Sequence, residues 1–188
     1  MWGLSAFLAG AVAASTVWVV LLRLLLDTHR AARGPSVEDR TRALVDVVPQ
    51  WLAAHDVPVD GGRIDHVVVT PLAVLAVETV WWGQASAAVH EERLEAAIAQ
   101  AERNARTLKR LLASRDLGFE LPVWPVVMAW GPGAEPTRLG GVDVVAGEAA
   151  HAWIAAYQTG AIHVGVAAAV HAALLGHQAR RDQRCLAA

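Results

Sequence analysis

"IDHVVVTPLAVLAVETVWWG", residues 64–83, is the stretch whose reading decides the fold. Ile64–Val69 and Val74–Val80 are rich in β-branched residues, and Thr70-Pro71-Leu72-Ala73 between them is turn chemistry. The stretch reads as a β-hairpin with a carboxylate near each outer end, Asp65 and Glu78. With the turn centred between Pro71 and Leu72, Asp65 falls directly opposite Glu78. Opposed residues hold their Cβ atoms about 4.5–5.5 Å apart on one face, where two like charges destabilise unless something neutralises them. A divalent cation does so, and Mg²⁺ and Mn²⁺ favour carboxylate and water oxygens. A carboxylate pair of this kind suits phosphodiester hydrolysis, where the metal polarises the phosphoryl group and activates water. Val80 shares the face of Glu78, because side chains alternate along a strand. A cation there would complete the constellation by stabilising charge on phosphate; valine cannot. His66 alternates to the opposite face and reads as a packed residue.

Working outward, Val74–Val77 is apolar on both faces, as expected of a central strand covered on both sides. Upstream, Ser36 caps a helix expected to run to about Ala54, followed by a loop over Asp56–Gly62. Downstream, a long helix is expected over Ala87–Ser114, its stripe formed by Val89, Leu94, Ala97, Ala101, Leu108, Leu111 and Leu112. A strand at Val123–Trp130, a Gly/Pro-rich loop at 131–136, a strand at Val142–Val145 and a helix at Glu148–Gln158 follow. An apolar helix at 161–180 ends the chain; its core is short for a second membrane span, and packing on the domain is the preferred reading. The order implies an α/β fold, a mixed sheet flanked by helices.

The N-terminus differs in kind. Gly3 to Leu22 carries no charge, and Leu24–Leu26 follow Arg23. Twenty helical residues at about 1.5 Å each cross a hydrocarbon core of roughly 30 Å. Residues 3–26 therefore read as one transmembrane helix, and 27–35 as a linker. A cleaved signal peptide is the rival, but no positive residue precedes the apolar run. Arg23, Arg30 and Arg33 follow it, which puts the domain on the cytoplasmic side of the cell membrane as a single-pass protein.

Hydrophobic residues make up 55% of the 188, which fits a lipid-facing segment, and the net charge of −2 excludes a strongly basic nucleic-acid binder. The single cysteine, Cys185, permits no intramolecular disulfide. There is no zinc spacing, Gly-rich phosphate loop or Gly-x-Ser-x-Gly elbow. The scattered histidines His151, His163, His171 and His177 lack metal-ligand spacing and read as packed or interfacial.

The hairpin resembles the nuclease-related domain (NERD) family, itself similar to the PD-(D/E)xK, restriction-endonuclease-like superfamily. Ile64, Asp65, His66, Glu78, Thr79, Trp81, Trp82 and Gly83 carry the resemblance. "QAERNARTLKRLL" resembles the family's Gln-containing helix, with Gln100 and Asn104 aligned, and "VWPVVMAWGPG" and "GVDVVAGEAAHAWI" extend it, so that it covers about residues 36–157, leaving 158–188 as a C-terminal helix and tail. The resemblance implies Asp65 and Glu78 as metal ligands for Mg²⁺ or Mn²⁺, with Gln100 as a further catalytic-site residue and Glu38 as an early-helix acid. It implies lysine at position 80, where this chain has Val80. Arg93 and Arg103 lie on the helix face of Gln100 and are the accessory cations available. The expectation is thus a membrane-anchored, catalytically degenerate nuclease-related module acting in nucleic-acid or protein interaction. The alternative is an active metal-dependent nuclease with a displaced cation.

Overall fold

The structure is a computed structural model that describes residues 36–83, 87–115 and 120–186. The transmembrane helix and linker expected over 1–35 lie outside the described residues, and among the described residues no helix is long and apolar enough to cross a membrane.

The elements are α1 (Val37–Asp46), β1 (Leu52–Val59), β2 (Gly62–Val69), β3 (Val74–Trp81), α2 (Ala87–Ala113), β4 (Val123–Trp130), β5 (Thr137–Leu139), β6 (Val142–Ala146), α3 (Ala150–Ala156) and α4 (Val164–Leu186), with a 3₁₀ turn at Gly147–Ala149. One six-stranded sheet runs in the order β1-β2-β3-β4-β6-β5. The β1-β2-β3 portion is antiparallel, β3-β4 and β4-β6 are parallel, and β5 is antiparallel to β6. The mixed α/β expectation is met.

The hairpin has the expected register: His66 pairs with Val77, Val67 with Ala76, Val68 with Leu75 and Val69 with Val74. Its turn is closed by Thr70, whose Oγ1 accepts from the Leu72 and Ala73 N–H groups at 3.2 and 3.0 Å. The side chain thus does work that a backbone carbonyl would do in a simpler turn. Val74–Val77 are all buried, as a central strand requires.

Two layers of helices cover the sheet. On one face Ala105, Leu108 and Leu112 of α2 and Ala167, Val170 and Leu174 of α4 pack against Val67, Val69, Val74 and Ala76. On the other, Val45 of α1 and Ala150 and Ile154 of α3 pack against Val68, Leu75, Val77 and Met128. The buried positions of α4 recur at i, i+3 and i+7, so its packing is that of an amphipathic helix rather than a lipid-facing one.

Three expectations need correcting. The first helix stops at Asp46 rather than near Ala54, and Leu52–Val59 is a strand, so that the loop expected over Asp56–Gly62 shrinks to a tight turn at Asp60-Gly61 before β2. Proline lacks the N–H a helix needs and restricts the residue before it, so Pro49 ends the helical run. Pro58 is tolerated in β1 because β1 is an edge strand. The second missed strand, β5, is three residues long and wholly exposed, with no buried face to leave a pattern. Third, Val89 on α2 is exposed rather than part of the buried stripe.

The edge of β1 is covered by α4. His171 Nε2 reaches the Ala53 carbonyl at 2.9 Å and His177 Nε2 the Pro58 carbonyl at 2.8 Å, and Gln178 donates to the His55 carbonyl. Carbonyls on the outer edge of β1, the side away from β2, are thereby occupied, which protects the edge from pairing with another chain. His171 and His177 act as packed, hydrogen-bonding groups.

Candidate functional site

The hairpin ladder stops one residue short of the two carboxylates. The last paired residues are His66 and Val77. In an unbroken antiparallel ladder the next hydrogen-bonded pair would join Thr79 to Ile64. Instead the Thr79 N–H donates to Asp65 Oδ2 at 2.9 Å. The side-chain carboxylate replaces a backbone carbonyl, and it is held on the face of Glu78 by doing so.

Glu78 is held from above by α2. Asn104, 3% exposed, donates through Nδ2 to Glu78 Oε2 at 2.9 Å. Gln100 Nε2 donates to Asn104 Oδ1 at 3.0 Å, and Arg103 donates to Gln100 Oε1 at 2.7 Å. A chain of hydrogen bonds thus runs from Arg103 through Gln100 and Asn104 to the accepting carboxylate of Glu78. The residues at i, i+3 and i+4 on α2 lie side by side, which is why one helix can supply the whole row.

Burial is the largest cause raising the Asp65 carboxyl above its ordinary value; the Thr79 N–H opposes it, while the Glu38 charge adds to it. Glu78 is pushed up to about 7, first by burial and then by the charge of Asp65. Asn104 and Arg103 pull in the other direction, and Glu38 raises it further. Glu38, in the first turn of α1, therefore acts on both carboxylates through its charge.

Val80, next on the same row as Glu78, has different company. It packs against a buried aliphatic cluster of Ala97 and Ala101 from α2 with Val127 and Ala129 from β4. Trp82 follows and stacks on His90 of α2, ring centroids 4.7 Å apart.

The structure therefore brings Asp65, Glu78, Gln100 and Arg103 together, with Glu38 as an electrostatic neighbour. Arg93 is exposed and makes no hydrogen bond or ion pair among the described residues. Asn104 is the residue that sequence reasoning underrated. It was legible only as one of two amides a turn apart, and α2 packing makes it, rather than Gln100, the direct partner of Glu78. Among the described residues no three His, Cys, Asp or Glu side chains converge as a metal cluster.

His66 lies on the opposite face, as its alternation requires, and is 2% exposed. Its Nδ1 is 2.8 Å from Nδ1 of His55, whose Nε2 is 3.0 Å from Asp46 Oδ1. The Asp46 carboxylate accepts from the His55 Nε2–H, and of the two facing Nδ1 atoms one donates to the other. Burial, followed by the His55 charge, lowers His66 to about 4.

Comparison with curated proteins and with solved structures returned no match. A family model described as the nuclease-related domain matches residues 34–130, just over half of the chain, and that span carries α1, β1–β3, α2 and β4 with every residue of the carboxylate cluster. On that match the chain belongs to the nuclease-related domain (NERD) family.

Proposed function

We propose that this protein is a nuclease-related module that engages phosphate through a divalent cation at Asp65 and Glu78, with cleavage weakened or lost. The observation that carries the reading is the contrast along one row of β3. Glu78 is clamped by Asn104 beside Asp65, while Val80 packs among alanines and valines. Two carboxylates are a small donor set, but Mg²⁺ commonly binds through one or two carboxylates with water and phosphate oxygens completing its sphere. The upward shifts of both carboxyls support the fit, since a bound cation offsets the burial that is the main cause of each and the Asp65 charge that adds to it at Glu78. When bound, such an ion would supply Lewis-acid polarisation of a phosphoryl oxygen. Asp65 and Glu78 would hold it, Asn104 would orient Glu78, and Gln100 would fix Asn104. The Val80 side chain cannot stabilise charge developing on phosphate.

A second reading, an active nuclease, is favoured by Arg103. Its charge acts on Glu78 and it donates to Gln100, so it is the cation placed to serve in place of a lysine at position 80. Arginine stays protonated and would act by charge, not as a base. The similarity to restriction-endonuclease-like enzymes rests on the family and on the mixed sheet.

Residues 3–26 remain the proposed membrane anchor, with the domain on the cytoplasmic side and nucleic acid the favoured partner. The apolar run before Arg23, Arg30 and Arg33 supports this.

The test is Mg²⁺- and Mn²⁺-dependent cleavage of plasmid and single-stranded DNA by the full chain, beside Glu78→Ala and Val80→Lys. The expected result is no cleavage by the natural chain and metal-dependent cleavage by Val80→Lys. Cleavage by the natural chain that Glu78→Ala and Arg103→Ala both remove would establish the second reading. If all are inert and Mn²⁺ binding is unchanged by Glu78→Ala, the carboxylate pair is not a cation site.

A further inference from the structure

The C-terminal half of α2 and the C-terminal half of α4 converge on a cavity of about 290 Å³ that the carboxylate cluster does not use. Its polar lining is Asp60, Thr107, Arg110, Ser114, His177 and Arg181. The α4 residues lie beyond the span matched by the family model. The geometry points to a phosphate-binding subsite here, one that grips the backbone of a nucleic-acid strand whose path leads along α2 to Glu78. This deepens the nuclease-related reading and rests on it for the identity of the strand.

Charge along α2 is segregated. Glu91, Glu92, Glu95 and Glu102, with the single cation Arg93 among them, come first, while Arg103, Arg106, Lys109 and Arg110 follow without an acid between them. Two of those cations are already compensated. Arg106 pairs with Glu102 at 3.5 Å and Lys109 with Glu120 at 2.8 Å. Arg103 and Arg110 form no ion pair among the described residues. They are seven residues apart, so they share a face with Thr107 between them, Thr107 Oγ1 accepting from Arg110 at 3.1 Å. Seven residues rise about 10 Å. One strand of B-form DNA presents a phosphate about every 3.4 Å of axis, so the stripe spans roughly three phosphates. A stripe of that length suits a polyanion better than a single free phosphate.

Most polar groups of the cavity are already engaged, which singles out one cation for an anion to meet. His177 Nε2 lies 2.8 Å from the Pro58 carbonyl, so that nitrogen must carry the proton. Its Nδ1 then accepts from Arg115 at 3.3 Å, which leaves His177 fully used and neutral in this arrangement. Arg181 is paired with Asp60, whose side chain is almost fully exposed and which supplies the cavity's only acidic lining among the described residues. Ser114 donates to the Leu111 carbonyl at 2.7 Å. Arg110 is thus the lining cation with no carboxylate partner among the described residues, and the Thr107 hydroxyl lies beside it.

The experiment is anisotropy of a fluorescent single-stranded oligonucleotide titrated with the full chain, in EDTA so that no divalent cation contributes, across a range of salt. Arg110→Glu is expected to weaken binding about tenfold and to lower the log–log salt slope by about one. Lys109→Glu makes the same charge change one residue away, at a lysine already paired, and is expected to weaken it less than about threefold. Both residues are exposed, so thermal unfolding should be unaltered and folding does not confuse the result. Equal losses in the two variants, no loss in Arg110→Glu, or no binding by the natural chain would each overturn the subsite. Loss confined to stabilisation by inorganic phosphate, with oligonucleotide binding intact, would also overturn the strand assignment. The two readings fail separately. Arg110-dependent binding without Mn²⁺ binding at Glu78 would leave the subsite standing alone, and the reverse result would remove only the subsite.

Discussion

The two faces of the β2-β3 hairpin bury titratable groups in opposite ways. Under α2 lie Asp65 and Glu78; on the face that α1 packs against lie His66 and its partner His55. Desolvation acts against charge on both, so it raises the acids and lowers the imidazole. What differs is the company. The carboxylate face supplies groups that favour the ionised form: the Thr79 N–H, the Asn104 amide and the Arg103 charge. Glu78 therefore changes charge at about 7, where a cation or a proton can tip it. His66, near 4, stays neutral across the physiological range and serves as packing. A buried group becomes available for chemistry when its surroundings bring it back toward neutrality, and remains structural when they do not.

The largest expected effect comes from extending the acidic row. Val80→Glu places a third carboxylate beside Glu78 and among aliphatic side chains, and should cost about 3 kcal/mol in urea unfolding at pH 8. Val80→Lys should cost less than half as much, because Glu78 offers its ammonium a partner. Equal losses would mean that the row is not electrostatically negative and would break the comparison.

Removing the clamp comes next. Asn104→Ala strips Glu78 of its donor and should destabilise by about 1–3 kcal/mol at pH 8. The loss should shrink at pH 5, where Glu78 is protonated. A loss independent of pH would show that Asn104 matters only as packing.

The pH profile sharpens the contrast between the faces. An acid whose folded pKa is raised binds more protons folded than unfolded, so its contribution falls as pH rises from about 4.5 to about 7 for Glu78. Asp65 is shifted in the same direction. A base whose folded pKa is lowered does the opposite, so the His66 contribution rises with pH from about 4 to 6.5. The two partly cancel over their overlap. Glu78→Gln should remove most of the fall and leave stability rising through that window, then flat. Denaturant midpoints at successive pH values read this directly; an unchanged profile would place the raised acid elsewhere.

The smallest effect is expected at the outer end of the histidine pair. Asp46 is about half exposed, so Asp46→Asn should change stability by no more than about 0.5 kcal/mol. A larger loss would mean that the ring-to-ring bond depends on that carboxylate.

What the sequence by itself determined is what neighbouring residues determine. The hairpin register follows from alternation and a four-residue turn, so Asp65 and Glu78 were legible as a pair, and the apolar run Val74–Val77 announced a central strand. The face shared by Glu78 and Val80 follows from the same period of two. Tertiary structure decided the rest. Leu52–Val59 continues apolar spacing from α1 and becomes a strand through pairing with β2. That Asn104 rather than Gln100 meets Glu78 depends on how α2 lies across β3, a matter of helix rotation that a polar stripe leaves open. Asp65 reaching the Thr79 N–H required the ladder to end one residue early. The cavity beside Arg110 needed α2 and α4 to meet although Ser114 and His177 are far apart in the chain. Local pattern specifies which face a side chain takes; only packing specifies what it meets there.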